Sequence, residues 1–70
     1  MSRNLRVIVS SGGKEKEEVL TEGSTIEDLL RSLRMHPDAY IVTKDSKPVP
    51  ITKRLEDGEK LKIIKVASGG

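Results

Sequence analysis

The sequence predicts an α+β domain: a mixed sheet of four to five strands with one helix packed on one face. Three observations carry this. An alternating stretch at Leu5, Val7 and Val9 runs into Gly12-Gly13 and a polar return, the pattern of an early hairpin. One amphipathic stretch, Ile26, Leu29, Leu30 and Leu33, repeats at i, i+3, i+4 and i+7 and so marks a single helix. The most apolar strand pattern, Lys60 to Val66, comes last and suits the middle of a sheet. Placed beside the first strand, it would run parallel to it, with the helix in a right-handed crossover between them.

Each element has a local cause. In the first strand Arg6 and Ile8 alternate with the Leu5, Val7 and Val9 set. In the turn Ser10-Ser11-Gly12-Gly13, glycines supply the positive φ that a tight hairpin needs. Lys16 to Thr21 should return as an edge strand, because Val19 and Leu20 are its only apolar residues and charge guards its free side. Glu22-Gly23 breaks the strand. Ser24 with Glu27, or Thr25 with Asp28, has the spacing of an N-cap and its reciprocating acid. The helix is expected from about Thr25 to Met35, with Arg31 and Arg34 near its negative end and Pro37 stopping it. Ala39 to Lys44 reads as a third strand. Pro48-Val49-Pro50-Ile51 reads as a short extended piece that its prolines confine to an edge. Leu55 anchors the approach to an Asp57-Gly58 turn before the final strand.

Composition narrows the function. Seventy residues hold one small domain, and apolar residues make up 34% of them. The chain has no Cys and one His, His36, so neither a disulfide nor a thiolate nucleophile is available. His36 sits alone at a helix end beside proline and reads as structural. Asp57-Gly58 reads as a turn rather than a metal loop, so no metal site is expected. Nucleophile–base spacings and phosphate-binding glycine motifs are missing, so no catalytic residue is assigned and the protein is not expected to be an enzyme. Tyr40 is the sole aromatic, which leaves no stacking platform and argues against direct nucleic-acid binding. No apolar run approaches the roughly 20 residues of a membrane span, and Ser2-Arg3-Asn4 leads straight into a strand. A cytoplasmic monomer that does not engage membranes is therefore expected. Glu15, Glu17, Glu18, Glu22, Glu27 and Asp28 make the first half acidic. Lys47, Lys53, Arg54, Lys60, Lys62 and Lys65 make the second half basic, either as solvated faces or as a patch that steers an acidic partner.

Two features remain as candidate sites. The first is Ala67-Ser68-Gly69-Gly70. Glycine lacks Cβ, so such an end can thread a narrow cleft. Four residues reach at most about 13–14 Å beyond the last strand. An α-carboxylate there is ionised at neutral pH and a poor electrophile, so transfer would require activation. The expected division is residues 1–66 as a folded domain and 67–70 as a flexible tail. The internal Gly12-Gly13 shows that the dipeptide alone is weak evidence. The second feature is apolar. If Val7, Val9, Leu61 and Ile63 face the helix, then Ile8 and Ile64, with Ile41, fall on the open sheet face and central strands would bring them together. With Lys62, Ala67 and Ser68 they form a candidate docking surface.

The element order, the Thr25-Ile26-Glu27-Asp28-Leu29-Leu30 helix start, the Leu55-x-Asp57-Gly58-Glu59-x-Leu61 turn and the closing Gly69-Gly70 together resemble the β-grasp, ubiquitin-like sulfur carriers and modifiers. These are the ThiS/MoaD-like proteins, the ubiquitin-related modifiers and, most of all, the small archaeal modifier proteins. The resemblance spans essentially the whole chain. It implies a β-grasp sheet with the helix across it. It also implies that a ubiquitin-activating-type adenylyltransferase uses ATP to activate Gly70, with no cofactor bound by this chain itself. Gly70 would then become a thiocarboxylate that serves a sulfur-acceptor enzyme in tRNA thiolation or molybdopterin or thiamine synthesis, or would form an isopeptide bond with target-protein lysines. Only Gly69 and Gly70 carry over as chemical residues. Ubiquitin has basic residues before its glycines where this chain has Ala67-Ser68, which leans toward the carrier and archaeal modifier branches. The competing reading is a non-catalytic β-grasp interaction module with an inert tail.

Overall fold

The computed structural model describes residues 3–66. Five strands, one α-helix and one 3₁₀ turn follow in the order β1 (Asn4–Ser11), β2 (Lys14–Thr21), α1 (Ile26–Ser32), the 3₁₀ turn Pro37–Ala39, β3 (Tyr40–Lys44), β4 (Lys47–Val49) and β5 (Lys60–Lys65). The sheet order is β2-β1-β5-β3-β4. β5 pairs parallel with β1 and antiparallel with β3, so the last strand is central as its apolar pattern requires. Lys14–Thr21 and Lys47–Val49 form the two edges, in keeping with the charge of the first and the proline of the second.

The β1–β2 hairpin closes through Gly12 and Gly13, whose φ values of 59° and 80° are the two positive angles of a type I′ turn. The β3–β4 hairpin uses the same geometry without glycine: Asp45 and Ser46 sit at φ 53° and 67° between the paired Lys44 and Lys47.

Helix α1 starts where the sequence places it, and the second capping alternative is the one adopted. The Asp28 N–H donates to Thr25 Oγ1 at 3.3 Å, and the Thr25 N–H donates to Asp28 Oδ2 at 2.9 Å. The next free donors meet the loop before β5: the Ile26 N–H reaches the Lys53 carbonyl at 2.9 Å and the Glu27 N–H the Ile51 carbonyl at 3.0 Å.

The helix ends sooner than the sequence suggests. Arg34, rather than Pro37, stops it, by entering the left-handed region at φ 60°. The Met35 N–H donates to the Leu30 carbonyl at 2.8 Å and the Arg34 N–H to the Arg31 carbonyl at 3.0 Å, the paired bonds of a Schellman motif. Folding the chain back here packs Met35 against the core that holds Leu30, and this contact offsets the strain of a non-glycine residue at Arg34. His36 is extended, as a residue before proline must be, and Pro37 opens the 3₁₀ turn.

One core lies between helix and sheet. It joins Leu5, Val7, Val9, Leu20, Ile26, Leu29, Leu30, Val42, Leu55, Leu61 and Ile63. Val7, Val9, Leu61 and Ile63 therefore face the helix as alternation requires.

Candidate functional site

The elements converge on the end of β5. The register sets Ser11 beside Ile63, so β1 turns away just as β5 continues through Ile64 and Lys65. On its other flank β5 stays paired, with Ile41 beside Ile64 and Tyr40 beside Lys65. The final described tie is the Val66 N–H, which donates to the Ala39 carbonyl at 2.8 Å. A cleft of about 440 Å³ opens next to this stretch, with Gly12, Gly13, Tyr40, Ile64 and Lys65 on its walls. Ala67, Ser68, Gly69 and Gly70, the residues on which the chemical reading rests, lie outside the described residues.

Of the docking set, the fold brings Ile41 and Ile64 together as direct cross-strand neighbours on the open face, 44% and 42% exposed. Lys62 lies on that face two residues before Ile64, opposite Thr43. Ile8 does not join them. It pairs with Lys60, four residues upstream of Ile64, which places it about 13 Å along the strand with Lys62 between. Alternation assigns these residues to one face, but the parallel register of β1 and β5 separates them along it.

The charges near β5 are unequally engaged. Lys60 reaches Glu15 at 3.6 Å, whereas Lys62 and Lys65 make no ion pair among the described residues. Lys62 thus lies on the open face beside the Ile41–Ile64 pair, whereas alternation assigns Lys65 to the face of Leu61 and Ile63. Val66, 37% exposed, adds to the apolar surface beside that pair.

At the opposite end of β5 the structure holds a residue that the sequence reading missed. The Glu59 side chain is fully buried, and its Oε2 accepts from Lys44 Nζ at 2.7 Å and from Lys53 Nζ at 2.6 Å. Its Oε1 accepts from the Glu56 N–H at 3.1 Å. Burial by itself pushes the carboxyl up, but the hydrogen bonds from Lys44, Lys53 and the Glu56 backbone outweigh it and hold the group below the ordinary carboxylate range. Lys44 is correspondingly raised, chiefly by its hydrogen bond to Glu59. The Asp57-Gly58 turn ties this end to β1. Asp57 Oδ1 accepts from the Arg6 N–H at 2.9 Å, the Gly58 N–H donates to the Arg6 carbonyl at 2.7 Å, and the Ile8 N–H donates to the Glu59 carbonyl at 2.8 Å. The alternation that buries Leu61 and Ile63 also puts Glu59 inward, and this was the available signal.

His36 is exposed, and among the described residues no group of three or more His, Cys, Asp or Glu is placed to hold a metal ion. No helix among the described residues is long and apolar enough to cross a membrane.

Comparison with known proteins decides the lineage. The sequence profile of the small archaeal modifier protein 2 family matches residues 4–67. The chain belongs to that family. It is a ubiquitin-like modifier with a β-grasp fold. A relative from Archaeoglobus fulgidus, described as uncharacterised, is 40% identical over 60 residues, covering 84% of this chain and 88% of its own. Among solved structures, the ubiquitin of Caldiarchaeum subterraneum superposes with a TM-score of 0.70 at 18% identity, covering 97% of this chain and all of that one. A solution structure of an N-terminal ubiquitin-like domain gives a TM-score of 0.76 at 20% identity, covering all of this chain and 82% of that one. At such identities these likenesses establish the fold this small archaeal modifier shares with them.

Proposed function

We propose that this small archaeal modifier works through the carboxylate of Gly70. Family membership across residues 4–67 is the observation that carries the reading. Its support from the geometry is that β5 holds the chain centrally up to Val66, four residues before Gly70. A ubiquitin-activating-type adenylyltransferase joins the Gly70 carboxylate to the α-phosphate of ATP and releases pyrophosphate. A sulfide equivalent then displaces AMP to leave a thiocarboxylate, the sulfur carried to an acceptor enzyme. Alternatively, a lysine amine of a target protein displaces AMP and forms an isopeptide bond. The chain supplies the acyl group and the docking surface, while the partner supplies ATP and catalysis in the cytoplasm. Ile41 and Ile64, flanked by Lys62, form the part of the docking surface nearest the end of β5, and Ile8 makes a separate contact.

Intact mass spectrometry after incubation with the activating enzyme, ATP and a sulfur source tests the first branch, with replacement of one oxygen by sulfur as the expected result. Trypsin cuts last at Lys65, so the second branch leaves Val-Ala-Ser-Gly-Gly on modified lysines. Deleting Gly69 and Gly70 should abolish both products. If that deletion leaves cellular function intact, the protein is instead an interaction module.

A further inference from the structure

At the end of β5 one backbone edge has no strand beside it. β1 leaves the sheet after Ser11, which pairs with Ile63, while β5 runs on to Lys65. Backbone groups point to alternate flanks along a strand. The Val66 N–H points to Ala39 on the β3 flank, so the N–H and C=O of Lys65 point into the slot that β1 has left. The cleft of about 440 Å³ described above takes in this slot. Gly12 and Gly13 bound it on the hairpin side, and Met35, Tyr40 and Ile63 add apolar surface. Lys62 lines it from the open face and Lys65 from the helix face. Both lysines are exposed, neither makes an ion pair, and no acid lines the cleft among the described residues. An outward N–H between two uncompensated ammoniums is a seat for a carboxylate.

The occupant that the chain itself supplies is its own end. Four residues follow Val66, at most about 13–14 Å of chain, and the slot begins beside Lys65. A hairpin loop over residues 66–69 brings Gly70 opposite Lys65. Loops of that length are built around a type I turn, which a late glycine, here Gly69, helps to close. A tethered carboxylate also acts at an effective concentration on the order of millimolar, with no partner to recruit. We propose that the Gly70 carboxylate folds back into this slot, accepts from the Lys65 N–H and lies between the Lys62 and Lys65 ammoniums. Docked in this way, it is withheld from any active site until a partner draws the last four residues out. That consequence rests on the reading of Gly70 as the reactive group, whereas the docking itself does not.

The test compares the full chain, labelled with nitrogen-15, with the same chain prepared by semisynthesis as its C-terminal carboxamide, which keeps every residue and removes the charge. In the parent, a nuclear Overhauser contact between the Gly70 and Lys65 amide protons is expected. The Lys65 amide should exchange with solvent about five- to tenfold faster in the carboxamide, with amide shifts confined to Gly12, Gly13 and 62–70. The K62Q/K65Q variant keeps the Lys65 N–H but loses both ammoniums, so it should give an intermediate exchange rate. Both side chains are exposed, and the variant's own spectrum will show that it folds. Molar salt should reduce the difference between parent and carboxamide. The proposal is overturned if the carboxamide leaves Lys65 exchange and the Gly12 and Gly13 shifts unchanged, or if K62Q/K65Q exchanges as the parent does. It is also overturned if the Gly70 contact weakens on dilution, because a second copy's end would then fill the slot. None of these readings uses an enzyme or ATP. Their failure leaves the chemistry proposed for Gly70 standing, and a failed adenylation assay leaves the docking standing.

Discussion

Replacing Glu59 with Gln would test what holds the start of β5 in place. The change keeps the volume but removes the charge, and an amide cannot accept on both sides. Whichever way it faces, its NH₂ opposes either the Lys44 and Lys53 ammoniums or the Glu56 N–H. Removing one member of a buried ion pair typically costs about 3–5 kcal/mol. Here the stranded lysines are 33% and 24% exposed and can regain water, whereas the fully buried carboxylate cannot. The expected loss is therefore smaller, about 2 kcal/mol, or a fall in Tm of about 8–16 °C for a domain of this size. Thermal unfolding by circular dichroism measures it. The acid limb adds a second check. The folded carboxyl sits below its ordinary value of 4.5, so the unfolded state binds more protons as the pH drops through that region. Its contribution is complete above 4.5 and is lost as the pH falls through the folded value. The gap between the parent and E59Q should narrow in the same direction. Equal melting at neutral pH, or a gap that stays constant into acid, would refute the account.

Four further outcomes follow from the geometry. Ser46→Gly and Arg34→Gly each place glycine at a positive φ and should stabilise the fold by about 0.5–1 kcal/mol, read as a higher urea midpoint; a lower midpoint would contradict the turn geometry. Thr25→Ala removes the reciprocal cap of α1 and should cost about 1 kcal/mol by the same measurement. On the open face, Ile41→Ser with Ile64→Ser should leave the melting temperature within a few degrees but slow ATP–pyrophosphate exchange by the activating enzyme; unchanged exchange would remove that face from the docking surface. Above the ordinary lysine value of 10.5, the raised Lys44 should lose its contribution as it deprotonates, so E59Q should show a shallower alkaline decline than the parent.

Local signals carried far in this sequence because each strand and the helix start has its own cause. Thr25-x-x-Asp28, Gly12-Gly13 and the apolar run of β5 specify a cap, a hairpin and a central strand, and the structure has all three. What escaped depends on contacts remote in sequence. The helix stops at Arg34 because Met35 gains the core by folding back, an outcome that no helix propensity encodes. Glu59 follows Glu56 and Asp57 near a turn and so looks like solvated acid; its partner Lys44 is on another strand, 15 residues away. Ile8 shares a face with Ile64, but how far apart they lie depends on the β1–β5 register, which the crossover sets. The Gly69-Gly70 reading drew on position and resemblance, and those residues lie outside the described part of the chain.

The placement of β5 also has a mechanical meaning. Suppose a motor pulls on a target joined through the residues after Val66. The load then enters along the axis of β5, which is hydrogen-bonded to β1 on one flank and β3 on the other. Ladder bonds run across the strand, so an axial pull shears them as a group, whereas a sideways pull on an edge strand would open them one after another. The buried Glu59 grips the far end of the same strand. If a target is joined there as proposed, the load on this chain would meet the two β5 ladders in shear rather than bond by bond.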